Sequence, residues 1–180
     1  MLVLKIVVTI LAMVSVAAVV AMFTKDQYTL KREIVINMPK GHVFDFIKLN
    51  QNQTLYSKWL RLDPDTKIKL SGAQDGTPGA ILAFESKNSK VGRGEWEIKR
   101  VQQDERVEFE LRFLEPFEFV ANGYFATEVL SPHQTRVMWV YNSGMKWPMN
   151  FLLLFLDMDK LVGNDIQSSL VSMKAELETP

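Results

Sequence analysis

The chain has 180 residues, with 21 Lys plus Arg against 21 Asp plus Glu and a formal net charge of zero. That balance argues against nucleic-acid binding through a basic stripe, and the 47% hydrophobic content is ordinary for one core domain with room for an appendage. There is no Cys, which excludes disulfides, thiolate catalysis and Cys-ligated zinc.

Ile6 to Phe23 is an uncharged apolar run bounded by Lys5 and by Lys25-Asp26. As a helix it would extend about 27 Å, close to a hydrocarbon core of roughly 30 Å. Residues 1–25 therefore read as an N-terminal membrane anchor or a signal segment, with Val19-Val20-Ala21 as a passable cleavage site. The localisation expected is a membrane, through a single-pass anchor. The side stays open: Lys25, Lys31 and Arg32 outnumber Lys5, but large domains follow the charge rule poorly.

Residues 28–180 read as one domain behind a short tether, Asp26 to Lys31. Arg32 to Asn37 is β-branched and predicts a first strand. After Pro39 and Gly41, the shared face of Val43, Phe46 and Ile47 predicts a short helix. Leu49 to Thr66 is polar and reads as a second short helix or ordered loop. Asp63 and Asp65 flank Pro64 there, a turn and capping pattern rather than an acid/base pair. From Lys67 the period becomes two. Ile68 and Leu70, Leu82 and Phe84, Trp96 and Ile98, then Val107, Phe109, Leu111 and Phe113 mark four half-buried strands. Phe119 to Val129 and Arg136 to Tyr141 add two more. Short turns between them predict antiparallel meander pairing.

Two apolar elements close the chain. Phe151 to Leu156 is too short to span a bilayer. It reads as a helix packed over one end of the sheet or as a flap at a cavity mouth that touches lipid. From Asn164 to Leu177, Ile166, Leu170, Met173 and Leu177 recur at helical spacing on one face. Asn164 with Gln167 reads as a capping box. Gly163-Asn164 is then either a hinge to the preceding segment or a kink in one longer helix.

Chemistry-bearing motifs are scarce. His42 and His133 have no ligand partner at helical spacing and read as surface and turn residues, so no metal and no cofactor is expected. There is no Gly-x-Ser-x-Gly. Gly92-Arg93-Gly94 precedes a strand and so reads as a hairpin turn rather than a phosphate cradle. Arg100, Asn122, Tyr124 and Tyr141 are the polar groups that could enter an interior; strand parity does not place them.

Several stretches together resemble the START/polyketide cyclase-like superfamily, SRPBCC, especially its membrane-tethered bacterial members. They are Ile34-Val35-Ile36-Asn37-Met38-Pro39 leading into Val43-Phe44-Asp45-Phe46, Trp59 with Leu62-Asp63-Pro64, Gly92-Arg93-Gly94-Glu95, and Met158 to Asp165. The resemblance covers roughly Tyr28 to Glu178 and implies an α+β helix-grip fold, a curved antiparallel sheet of about seven strands around a long C-terminal helix. It also implies a deep apolar cavity between sheet and helix. Candidate lining residues are Trp59, Phe84, Trp96, Phe109, Phe125, Trp139, Ile166, Leu170 and Met173. The scaffold hosts several activities. The expected function is a membrane-tethered binding module for a lipid or other hydrophobic small molecule. The alternatives are a cyclase/aromatase-like enzyme and a protein-interaction module with a filled core.

Overall fold

In the structure, a computed structural model describing residues 1–179, Leu2–Phe23 is a single helix (α1). Pro180, the last residue assigned to the domain, lies outside the described residues. Almost every α1 side chain is exposed; Ala21 alone is buried. This helix is long and apolar enough to cross a membrane.

Only Thr24–Asp26 separates α1 from the first strand, β1 (Gln27–Ile36). The expected tether is therefore strand. The Gln27 to Lys31 stretch itself alternates, with Tyr28 and Leu30 turned toward the core. It is ordered by pairing with the last strand, β7 (Gln134–Gly144), from Gln27 opposite Gly144 to Ile36 opposite Thr135.

Next come α2 (Lys40–Ile47), a 3-10 turn at Asn50–Asn52, α3 (Gln53–Tyr56) and a second 3-10 turn at Leu60–Leu62. Five strands follow: β2 (Lys67–Gly72), β3 (Ala80–Glu85), β4 (Arg93–Gln102), β5 (Arg106–Glu115) and β6 (Phe119–Ser131). With β1 and β7 they form a seven-stranded antiparallel sheet in the order β1-β7-β6-β5-β4-β3-β2. The period-two reading holds inside it. On β5, Val107, Phe109 and Leu111 are buried while Glu108 and Glu110 are only half so. Leu70 departs from the pattern and is exposed, because β2 is the edge strand and the curved sheet leaves its end uncovered.

Two glycines let large rings lie close to the inner face. A Cβ on Gly123 would stand 2.2 Å from the Val140 carbonyl oxygen and 2.6 Å from the Phe109 ring. A Cβ on Gly94 would meet the Phe84 ring at 2.6 Å. On the outer face, Arg112 donates to Glu97 at 2.7 Å and to Glu95 at 3.0 Å, tying β4 to β5.

The terminal helix α4 (Asn164–Glu178) buries Ile166, Leu170, Met173 and Leu177 against this face, as their spacing predicts. Its start differs from expectation. Asn164 already has helical φ and ψ, and no side-chain cap is formed there. A π-helical stretch, Asp159–Gly163, runs directly into α4, making one longer helix rather than a hinge. The cap lies further back: the Asp157 carboxylate accepts a hydrogen bond from the Lys160 N–H at 3.1 Å. Gly163 is small because Arg32 from β1 passes over it to reach Asp159 at 2.8 Å. The grip is completed by Ser169 Oγ, which accepts from the Lys58 N–H at 2.9 Å, and by Lys174 Nζ, which donates to the Val35 carbonyl at 2.6 Å.

Leu170 is fully buried, so Leu170→Asp should cost at least about 3 kcal/mol through an unpaired buried charge. Gly123→Ala should cost about 1–3 kcal/mol by overpacking beneath Phe109. Urea unfolding of each variant is the measurement; midpoints equal to that of the parent would contradict the packing described.

Candidate functional site

The space between the concave face of the sheet and α4 is filled chiefly by aromatic side chains. Trp96 and Phe109, from neighbouring strands, stack at 3.8 Å between ring centroids. Phe125 and Trp139, paired across β6 and β7, lie 4.5 Å apart. Trp139 also meets Trp96 edge to face at 6.1 Å and Trp59 at 6.3 Å. Tyr56, from α3, sets its ring edge-on to both Phe125 and Trp139 at 6.4 Å. Ile166, Leu170 and Met173 close the space from α4 and are fully buried. Strand parity thus brings together Trp96, Phe109, Phe125 and Trp139 as expected. They pack on one another instead of walling a deep void.

One small pocket lies at one end of the core. It amounts to about 30 Å³ and is lined by Gln53, Ser57, Trp59, Leu60, Leu82, Phe84, Val91, Trp96, Leu111 and Phe113. That is room for a water molecule or two. Of the expected lining, Trp59, Phe84 and Trp96 border it, whereas Phe109, Phe125, Trp139, Ile166, Leu170 and Met173 belong to the packed interior. Leu82, Leu111 and Phe113 were within reach of sequence reasoning, because their strands alternate clearly. Gln53 and Ser57 carried no such signal, since they sit in an irregular stretch.

The register shows which end this is. Phe84 pairs with Gly94, Gly94 with Phe113, Phe113 with Phe119, Asn122 with Asn142, and Gly144 with Gln27. The opening therefore lies at the end of the sheet where α1 joins β1.

Two polar atoms in the packed interior have no partner: the Tyr56 hydroxyl and Trp139 Nε1. Tyr56 is 1% exposed and Trp139 is likewise closed off. Both groups can donate a hydrogen bond, and unpartnered buried donors are rare in folded proteins. Burial pushes the Tyr56 phenol far above its ordinary pKa. Tyr141 is raised as well, first by burial and then by neighbouring Tyr28, with Ser143 opposing. Tyr28 is raised by burial.

The other polar candidates lie outside this interior. Arg100 and Asn122 are exposed, and the Tyr124 ring carries the Arg106 guanidinium 3.7 Å above its centroid. His42 and His133 are exposed. Asp63 serves its turn, accepting from the Asp65 N–H at 3.0 Å and from the Ser86 hydroxyl. Among the described residues no Asp, Glu, His, Lys or Arg is buried in the core, and no group of His, Cys, Asp and Glu could hold a metal ion.

No family model matches the chain, and no curated protein matches it in sequence. Solved structures do match in fold. The Zhui aromatase/cyclase from Streptomyces sp. R1128 superposes with a TM-score of 0.60 at 10% identity, over 84% of this chain and 94% of that one. The Aha1 dimer protein from Colwellia psychrerythraea gives 0.58 at 14% identity, over 84% and 96%. Ara h 8.0201 gives 0.57 at 10% identity, over 84% and 97%. With its seven-stranded antiparallel sheet closed around a long C-terminal helix, the chain has the Bet v 1-like helix-grip fold.

Proposed function

We propose that the chain is a membrane-anchored binding module that takes up a small apolar molecule carrying a hydrogen-bond acceptor. The observation that carries this reading is the pair of unpartnered donors, Tyr56 Oη and Trp139 Nε1, inside an aromatic enclosure. Leaving each unmade costs about 1–3 kcal/mol, whereas a purely apolar core of the same shape would avoid that penalty. A ligand acceptor would recover it.

Uptake requires the wall to move, because about 30 Å³ is far below the roughly 300 Å³ of a ligand pocket. The side chains easiest to displace are at the opening, where Trp59, Leu60 and Phe113 are only partly buried. Burying ~200 Å² of apolar ligand surface would gain about 5 kcal/mol. Moving a side chain off its rotamer costs about 1 kcal/mol. The gain exceeds the cost of displacing two or three side chains. Lipid or another apolar molecule fits this chemistry equally.

Retention of α1 fits the same reading. Asn150 is buried and donates to the carbonyls of Ala21 at 2.8 Å and Thr24 at 2.9 Å. Cleavage after Ala21 would remove most of the helix that Asn150 packs against, which supports a kept anchor.

An enzyme of cyclase type fits less well. The phenols of Tyr56 and Tyr141 are held protonated by burial, so they can donate hydrogen bonds but are poor bases near neutral pH. The filled-core interaction module has one specific observation in its favour, the small size of the void.

A fluorescence titration of the full chain in detergent with a polarity-sensitive apolar dye separates these readings. A binding module gives saturable, competable enhancement; a filled core gives none. Tyr56→Phe should leave stability unchanged or raise it by up to about 1 kcal/mol while weakening dye or competitor binding about five- to tenfold. A large loss of stability would mean that the hydroxyl has a structural partner.

The three raised phenols also set an alkaline limit. The folded state holds protons that the unfolded chain releases above about pH 10. Their contribution is complete below that pH and is lost as pH rises beyond it. Urea midpoints should therefore be steady from about pH 7 to 9 and fall above 10, less steeply in a Tyr56→Phe, Tyr141→Phe double variant. A midpoint unchanged through pH 11 in the parent would contradict the burial assigned to these groups.

A further inference from the structure

The segment after β7 was expected to pack over one end of the sheet or to form a flap at the cavity mouth that touches lipid. Its 3-10 helix, Met149–Leu154, packs beside the end of α1. Trp147 Nε1 donates to the Ala18 carbonyl at 3.2 Å, and Asn150 binds the Ala21 and Thr24 carbonyls. The Met145 N–H donates to the Asp26 carbonyl at 2.9 Å. Trp147 to Leu156 thus forms a collar along residues 18–24 of α1. Its outward side is apolar: Trp147, Met149, Leu154 and Phe155 are all more than half exposed, Phe155 at 77%. Lys25 and Lys146 stand exposed beside it.

From this collar we infer a lipid-binding surface: Trp147, Met149, Leu154 and Phe155 enter the bilayer interface next to α1 and set the domain's posture on the membrane. The inference rests on the reading of α1 as an anchor. Helix length carries it. If the collar stood clear of lipid, residues 18–23 of α1 would be held in water with it. The uncharged part of α1 left to cross would be Ile6–Ala17, about 18 Å at 1.5 Å per residue, against a core of roughly 30 Å. Using all of Ile6–Phe23 restores about 27 Å, and that draws the collar down to the level of the headgroups and upper acyl chains. Exposed Trp, aliphatic and Phe side chains with Lys beside them match the composition of a membrane interface.

The join between α1 and β1 is only three residues long. A seated collar therefore turns the α1 end of the sheet, with the opening at Trp59, Phe84 and Phe113, toward the bilayer. An apolar molecule could then pass between membrane and interior with a short path through water.

The chain lacks Cys, so single cysteines can be labelled with an environment-sensitive fluorophore in the full chain. Val14→Cys tests the middle of α1, Phe155→Cys the collar, and Gln103→Cys the far end of the sheet. The vesicles are phosphatidylcholine with phosphatidylglycerol, carrying spin-labelled quenchers at shallow or deep acyl positions. The expected result is a Val14 label quenched most by the deep probe, a blue-shifted Phe155 label losing most of its emission to the shallow probe, and a Gln103 label unaffected. A Phe155 label that behaves like Gln103 while Val14 is quenched would overturn the collar and leave the anchor standing. An unquenched Val14 label would overturn the anchor and the collar with it. Phe155 is exposed, so its replacement should not disturb folding; unchanged circular dichroism checks this.

Discussion

The constraint on which the rest of the structure depends is the covering of one aromatic sheet face. Trp96, Phe109, Phe125 and Trp139 project from four adjacent strands into the same space. No single strand can shield them, and α4 supplies the stripe that does, with Ile166, Leu170 and Met173 all fully buried. Other features serve this contact. Gly94 and Gly123 make room for the Phe84 and Phe109 rings. Arg32, Lys58 and Lys174 pin α4 and its π-helical lead-in by charge and hydrogen bonding at the borders, where such groups remain solvated. Hydrophobic burial supplies most of the stability; these polar ties mainly fix the position of the helix.

The same packing frames the functional question. The pocket at the end of the core nearest α1 holds about 30 Å³. Deeper in, two donors go without acceptors. These facts pull in opposite directions, one toward a closed core and one toward an interior that awaits a polar contact. The reading that reconciles them is a closed state whose opening is made by the ligand. Its walls at Trp59, Leu60 and Phe113 are the least buried part of the enclosure, which is where opening costs least.

Much of the fold was legible in the sequence. The alternation of Val107, Phe109 and Leu111 with Glu108 and Glu110 marks a half-buried strand, and the spacing of Ile166, Leu170, Met173 and Leu177 marks the gripping helix. Both signals come from burial, which side-chain periodicity records directly. What was not legible arises from pairing and packing at a distance. Asn164 looks like a cap, but Asp157 captures the role seven residues earlier, once Arg32 and Asp159 extend the helix backwards. The collar's partner is α1, a contact across more than one hundred residues that local pattern cannot specify. Cavity volume was also out of reach, since the same aromatic residues wall a void or fill it depending on their rotamers.

We propose that this interior holds an apolar ligand beside the membrane. Native mass spectrometry of the full chain, extracted from membranes in mild detergent, tests it most directly. The expected result is a protein peak accompanied by a discrete adduct of small-molecule mass, displaced by an added apolar competitor and diminished in Tyr56→Phe. A single peak at the bare chain mass, unchanged by any apolar competitor, would contradict it and leave the aromatic interior as a filled core.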